Sequence, residues 1–152
     1  KLKYKNVFEE GRLFFIKSQF NGRVLDVEDG STEDDANIIV YTQKYEDCWN
    51  QLWRYENGYF INAKSAKVLD IRGGEMQPES QIIQYAQKMV EEAANQRWAI
   101  DEEGYIFCEA RPDLVLDIQG AEDNDCVPVI LYERREGEVS SNQRWELVPF
   151  EG

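Results

Sequence analysis

Apolar residues along this chain fall in short bursts of four or five, never in long runs. The first burst, residues 13–17, ends at the turn Asn21-Gly22; Val24–Val27 follows, then a polar loop, then residues 38–42, a second loop and Trp53–Glu56. The hairpin signal Asn57-Gly58 then restarts the series at Tyr59. Bursts of this length, rich in β-branched and aromatic residues and separated by polar turn clusters, predict strands of four or five residues. Matching turns are expected at residues 62–67 and 110–113. No segment keeps a helical apolar period over three turns; residues 89–94 have room for a single helical turn.

The bursts repeat. Asn50-Gln51-Leu52-Trp53, Asn95-Gln96-Arg97-Trp98 and Asn142-Gln143-Arg144-Trp145 are one motif written three times, with spacings of 45 and 47 residues. Val24-Leu25-Asp26-Val27 recurs as Val68-Leu69-Asp70-Ile71 and Val115-Leu116-Asp117-Ile118. A third motif ends in Tyr41, Tyr85 and Tyr132, each 15 residues after its Asp. Three motifs held in register predict three units, about 12–58, 59–104 and 105–150, inside one domain spanning 1–152. A unit of this size cannot bury its apolar face alone, so the three must share a core. Twelve short strands in three equal units predict an all-β closed barrel with a pseudo-threefold axis, since closure removes exposed strand edges. Residues 1–11 are expected to lie along that barrel.

Composition narrows the chemistry. The 152 residues include three Cys and no His, and the formal net charge is −13. Such a surface repels phosphate backbones and anionic membranes, so nucleic acid is not expected as a partner. With no apolar run of about 18 residues, no membrane insertion is expected. Without His or a CxxC pair, the usual zinc ligand sets and the His-activated nucleophiles are missing. No cofactor or metal is expected. The acidic stretch 29–35 lacks the ligand spacing of a calcium-binding EF-hand loop and reads as solvated loop. Cys48, Cys108 and Cys126 do not look like a disulfide framework, which favours a reducing, cytoplasmic compartment; they read as small apolar filler.

The Gln-x-Trp triplets, each preceded by Asn, resemble the signature of ricin-B-type lectin domains, also called carbohydrate-binding module family 13. The resemblance runs from about residue 12 to 149 and implies a β-trefoil of three pseudo-symmetric four-strand repeats. It also implies that Gln51, Trp53, Gln96, Trp98, Gln143 and Trp145 are structural, the Trp by burial and the Gln by hydrogen bonding. Its sugar sites are one shallow pocket per lobe, and carried over they fall on Asp26, Tyr41 and Asn50, on Asp70, Tyr85 and Asn95, and on Asp117, Tyr132 and Asn142. The residue types suit a pyranose: a Tyr ring stacks on the C–H face, a carboxylate accepts from two hydroxyls, and an amide donates or accepts.

The chain departs from the family pattern in places. Ile39, Ile83 and Ile130 stand where many family sites carry Gln. Val24 and Gln43 stand where lobe one of the family carries cysteines. Lobe one alone has a Trp, Trp49, before its Asn; exposed it would widen a binding surface, buried it would seal the loop. Lobe three has Pro112 and Pro128, expected to stiffen its loops. The implied function is a module for galactose- or N-acetylgalactosamine-type glycans and glycoproteins, free-standing or appended to a larger protein. A trefoil that binds proteins in place of sugars is the alternative. Catalysis is not expected, because a glycosidase needs two facing carboxylates and these aspartates sit on separate lobes.

Overall fold

The computed structural model describes residues 7–152. Its twelve strands fall into three sets of four. Lobe one holds β1 (Phe14–Ser18), β2 (Val24–Val27), β3 (Ile38–Tyr41) and β4 (Trp53–Glu56). Lobe two holds β5 (Tyr59–Asn62), β6 (Val68–Ile71), β7 (Ile82–Tyr85) and β8 (Trp98–Ile100). Lobe three holds β9 (Ile106–Cys108), β10 (Arg111–Ile118), β11 (Val127–Glu133) and β12 (Trp145–Pro149). All pairs are antiparallel and join in one twelve-stranded sheet, a β-trefoil.

The first and last strands of the lobes form the wall. β1 pairs β12 along its whole length, from Phe14 opposite Pro149 to Ser18 opposite Trp145. Ladders β4–β5 and β8–β9 join successive lobes, and further backbone bonds tie them: Trp98 N–H donates to the Gly58 carbonyl and Trp145 N–H to the Gly104 carbonyl, each at 2.8 Å. Gly104 lies in the left-handed region at φ 97, and a Cβ there would meet the Trp145 carbonyl at 2.5 Å. That close approach is open only to glycine.

The inner strands pair as hairpins, β2–β3, β6–β7 and β10–β11, in one register: Asp26 faces Ile39, Asp70 faces Ile83 and Asp117 faces Ile130. Strand alternation then sorts the side chains. Leu25 and Val27, Leu69 and Ile71, and Leu116 and Ile118 enter the common core beside Trp53, Trp98 and Trp145. The intervening Asp, and the Ile and Tyr across the hairpin, take the opposite face. Gln84 stands where the other hairpins place Val40 and Leu131. It is fully buried and satisfied: its amide donates to the Ser31 and Glu33 carbonyls at 3.1 and 2.8 Å and accepts from the Ser65 hydroxyl at 2.7 Å.

Several expectations need correction. β10 and β11 run to eight and seven residues, so residues 111–113 extend a strand where a turn was predicted. Pro112 and Pro128 accordingly lie in strands and not in loops. Pro112 has no N–H to give a ladder and sits where the β9–β10 register shifts between Arg111 and Val115, so no ladder bond is lost. The helical turn expected in residues 89–94 is a 3-10 turn, Val90–Glu92, followed by a second at Ala94–Gln96. The acidic stretch 29–35 is not merely solvated. Asp34 accepts from the Ala86 N–H at 3.0 Å, and Asp35 lies 3.7 Å from Arg72, so the loop clamps lobe one onto lobe two. Asp125 repeats the device from lobe three to lobe one, accepting from the Thr42 N–H at 2.9 Å and from Arg23 at 2.8 Å. Of the leading segment, residues 1–6 lie outside the described residues. Val7 is buried in the core, and the Phe8 ring stands 4.8 Å from that of Tyr55.

Candidate functional site

Each lobe builds the same polar cluster on the outer face of its hairpin. In lobe one the Asn50 amide donates to Asp26 Oδ1 at 3.2 Å and to the Val27 carbonyl at 3.1 Å. The Gln51 amide donates to Asp26 Oδ2 at 2.9 Å and to the Thr42 carbonyl at 3.0 Å, while its oxygen accepts from the Lys44 N–H at 2.9 Å. Lobe two repeats the pattern: Asn95 to Asp70 Oδ1 at 3.2 Å, Gln96 to Asp70 Oδ2 at 2.8 Å. Lobe three does so with Asn142 to Asp117 Oδ1 at 3.4 Å and Gln143 to Asp117 Oδ2 at 2.9 Å. A short 3-10 turn delivers the Asn and Gln together, and the Trp two residues after the Gln pins its far end. That Trp is fully buried, and its indole N–H donates to the carbonyl of Leu25, Leu69 or Leu116 at 3.3, 3.1 and 3.2 Å.

Each carboxylate therefore receives one amide on each oxygen, which fixes its plane and leaves a lone pair on each oxygen. Asp26, Asp70 and Asp117 are almost wholly buried. Burial pushes the Asp26 and Asp70 carboxyls up to about 6, against the opposing effect of the Gln51 and Gln96 amides. Asp117 moves in the same direction for the same reason, with Gln143 and Arg135 pulling the other way.

All nine residues expected from the sequence border open pockets, one per lobe. Asp26, Tyr41 and Asn50 line a pocket of about 350 Å³, Asp70, Tyr85 and Asn95 one of about 440 Å³, and Asp117, Tyr132 and Asn142 one of about 410 Å³. These volumes lie in the range of small-molecule sites. The tyrosines are half-buried, with room on the pocket side for a ligand face. Ile39, Ile83 and Ile130 supply apolar wall beside them.

Sequence reasoning missed a basic residue in every pocket. Lys44, Lys88 and Arg135 stand three residues after the respective tyrosines, a spacing visible in the repeat alignment. Arg135 donates to Asn142 Oδ1 at 2.9 Å, lies 3.8 Å from Asp117 and stands 5.8 Å from the centre of the Tyr132 ring. Lys88 donates to Asn95 Oδ1 at 3.4 Å and stands 6.0 Å from the Tyr85 ring centre. The floor turn after each Asp was missed too. Its middle residue is left-handed: Asp29 at φ 60, Gly73 at φ 67 and Gly120 at φ 66. Trp49 proves half exposed, at 49%, and borders the lobe-one pocket. Cys48 and Cys108 are buried as expected, but Cys126 is exposed at the rim of that pocket, because its φ of 71 turns the chain there before β11 begins.

A trefoil with an Asp–Asn pair and a tyrosine in a pocket on each lobe defines a carbohydrate-binding lectin domain. The model of the ricin-type beta-trefoil lectin domain matches residues 12–146, and the chain belongs to that family. It is 97% identical over 145 residues to Mucoricin of Rhizopus delemar, covering 95% of this chain and 99% of that protein. Among solved structures it is similar to the designed threefold-symmetric protein ThreeFoil, with a TM-score of 0.76, 31% identity and 90% and 97% of the two chains covered. It is also similar in fold to the C-half of the earthworm R-type lectin, solved in complex with GalNAc, with a TM-score of 0.77, 24% identity and 91% and 99% covered. The domain this family model describes is a lectin, a carbohydrate-binding type. No described helix is long and apolar enough to cross a membrane.

Proposed function

We propose that the chain is a multivalent glycan-binding module with one galactose- or N-acetylgalactosamine-type site per lobe, formed by Asp26, Tyr41 and Asn50, by Asp70, Tyr85 and Asn95, and by Asp117, Tyr132 and Asn142. The observation that carries this reading is the threefold recurrence of one arrangement: a carboxylate locked by two amides, beside a tyrosine, on the floor of an open pocket. A sugar hydroxyl pair meets the free lone pairs of the Asp, and the C–H face lies on the Tyr. The N-acetylgalactosamine bound to the earthworm relative supports the choice of sugar.

Each pocket is shallow, so a single ring binds at about millimolar Kd, about −4 kcal/mol. Three sites on one rigid body raise the apparent affinity for a branched or clustered glycan through effective concentration. Glycoproteins and glycan-bearing surfaces are the fitting partners, whether the module acts alone or carries another domain. A protein-binding trefoil would leave the three repeated pockets without an occupant.

A glycan array with the purified chain, followed by titration of galactose, tests the reading. Galactose- or N-acetylgalactosamine-terminated glycans bind, and the triple variant Tyr41→Ala, Tyr85→Ala, Tyr132→Ala loses them while staying folded by circular dichroism. A blank array, or a folded triple variant that binds as before, overturns it.

A further inference from the structure

The three loops that deliver the Asn–Gln pair match residue for residue: Cys48-Trp49-Asn50-Gln51, Ala93-Ala94-Asn95-Gln96 and Ser140-Ser141-Asn142-Gln143. Their first members are buried small side chains, and Asn and Gln are buried in all three. Only the second position differs in kind. Ala94 and Ser141 present only small side chains there, whereas Trp49 puts an indole at the pocket edge.

That indole is held and yet open. Buried Cys48 and Asn50 fix the backbone on either side. Phe150 meets the ring edge-on at 6.0 Å and 64°, and is itself anchored edge-on against Phe15 at 6.1 Å. Packing on Phe150 leaves 49% of Trp49 exposed, beside Tyr41 on the same pocket. A rigid, braced, half-bare indole next to a polar cluster is the surface on which a pyranose stacks, because its C–H face matches the ring and its rim hydroxyls stay wet. The polar side is open as well. Among the described residues, Asn50 Oδ1 makes no protein hydrogen bond, while Asn95 Oδ1 and Asn142 Oδ1 are taken by Lys88 and Arg135. Lys64 reaches over from the β5–β6 turn, and lobes two and three have no counterpart to it in their pockets.

We propose that Trp49 forms a second sugar subsite in lobe one, so that this lobe binds a disaccharide where lobes two and three each hold one ring. The inference rests on the glycan-binding reading above. The first ring lies on Tyr41 above Asp26, and the second stacks on Trp49. Lobe one is thereby the lobe that reads the sugar next to the terminal one.

The experiment isolates lobe one with Tyr85→Ala and Tyr132→Ala, and titrates methyl β-galactoside and lactose by calorimetry. In that background lactose binds about three- to tenfold tighter than the monosaccharide, the range expected of one added aromatic stack. The preference falls to about onefold on adding Trp49→Ala and persists in part with Trp49→Phe, which keeps a ring; the Tyr41→Ala variant, left with lobes two and three, shows none. Fluorescence gives an independent reading, since Trp53, Trp98 and Trp145 are fully buried and Trp49 alone answers to solvent. Lactose shields it from acrylamide and methyl β-galactoside does not. The subsite is overturned, with the glycan reading intact, if the wild type binds sugar but the lobe-one variant does not, or if the lactose preference is absent or survives Trp49→Ala. If the wild type binds neither sugar, both readings fall together.

Discussion

Trp49 and Trp98 belong to the same chain and even to matching stretches of the repeat, yet they obey different rules. Trp98 lies in the common core with no exposed surface, its indole N–H spent on the Leu69 carbonyl, and Trp53 and Trp145 copy it in the other lobes. Trp49 has no copy. The interior keeps threefold symmetry because the three lobes must fill one volume at native density, where a change in any lobe is felt by the others. The pocket rims lie outside that shared volume, and there the lobes differ: Trp49 and Lys64 in lobe one, Lys88 in lobe two, Arg135 in lobe three.

The largest effect that would break this contrast is a core truncation. Trp98→Ala is expected to cost about 3–5 kcal/mol, through the lost burial and the cavity left behind. Trp49→Ala, at a half-exposed position, is expected to cost about 1 kcal/mol or less. Urea unfolding of the two variants measures both. Equal losses would mean that Trp49 is a packing residue, and that the rim is as constrained as the core.

Next in size is the link between core and pocket. Gln96 is fully buried and ties Asp70, the Ala86 carbonyl and the Lys88 N–H together. Gln96→Ala is expected to cost about 1–3 kcal/mol for each buried group left without a partner, and to remove lobe-two sugar binding by freeing the Asp70 carboxylate to turn. Calorimetry in a Tyr41→Ala, Tyr132→Ala background isolates that lobe. Sugar binding that persists there would show that Gln96 braces the fold without positioning the Asp.

How much of this was readable from the sequence follows from the same division. The repeat gave the twelve strands and the recurring motifs, because those positions follow a period shared across three copies. The burial of the Trp–Gln pairs and the nine pocket residues came from the resemblance to ricin-B-type lectin domains, carried onto those motifs. What differed between copies was harder to read. The burial of Gln84, the extension of β10 through Pro112 and the exposure of Cys126 depend on contacts made by one lobe alone. The basic residue three places after each Tyr does repeat, but its type changes from Lys to Arg, and its role appears only when the loop brings it back over the Asn. The clamping of lobe one onto lobe two through Asp34 and Asp35 was hidden because acidic loop residues look alike whether solvated or paired.

A smaller and more diagnostic effect is pH dependence. The Asp26 and Asp70 carboxyls stand at about 6 in the fold against an ordinary value of 3.8. The folded chain therefore binds their protons more tightly than the unfolded chain. Stability from this source is fully present below about pH 4 and declines as pH rises to about 6. On the proposed function, sugar binding in lobes one and two is expected to have the opposite slope, since the accepting carboxylate forms only as pH passes through about 6. Melting temperatures from pH 4 to 8 should fall less steeply in Asp26→Asn than in the wild type, and lobe-one binding by this variant should lose its pH dependence along with most of its affinity. A wild type and variant with parallel stability profiles would place the Asp26 carboxyl back in the ordinary range.

The smallest expected effect separates lobe three from lobe one. Arg135 is tied to Asn142 Oδ1 and lies near Asp117, whereas Lys44 makes no ion pair or side-chain hydrogen bond among the described residues. In lobe three a sugar hydroxyl must share an amide oxygen that already has a donor, and Arg135→Ala should release it. Because Arg135 is about two-fifths exposed, its loss is expected to change stability by about 0–1 kcal/mol. Affinity at lobe three, isolated by Tyr41→Ala and Tyr85→Ala, is the sharper measure. If Arg135 only occupies the Asn, binding strengthens in Arg135→Ala; if the guanidinium itself donates to the sugar, binding weakens. Lys44→Ala in isolated lobe one provides the reference, because there no side-chain hydrogen bond is released and Lys44 acts only through contact with the sugar or through its charge, which favours the ionised Asp26. Opposite signs in the two lobes would show that a basic residue at one repeat position restrains the pocket in lobe three and serves the ligand in lobe one.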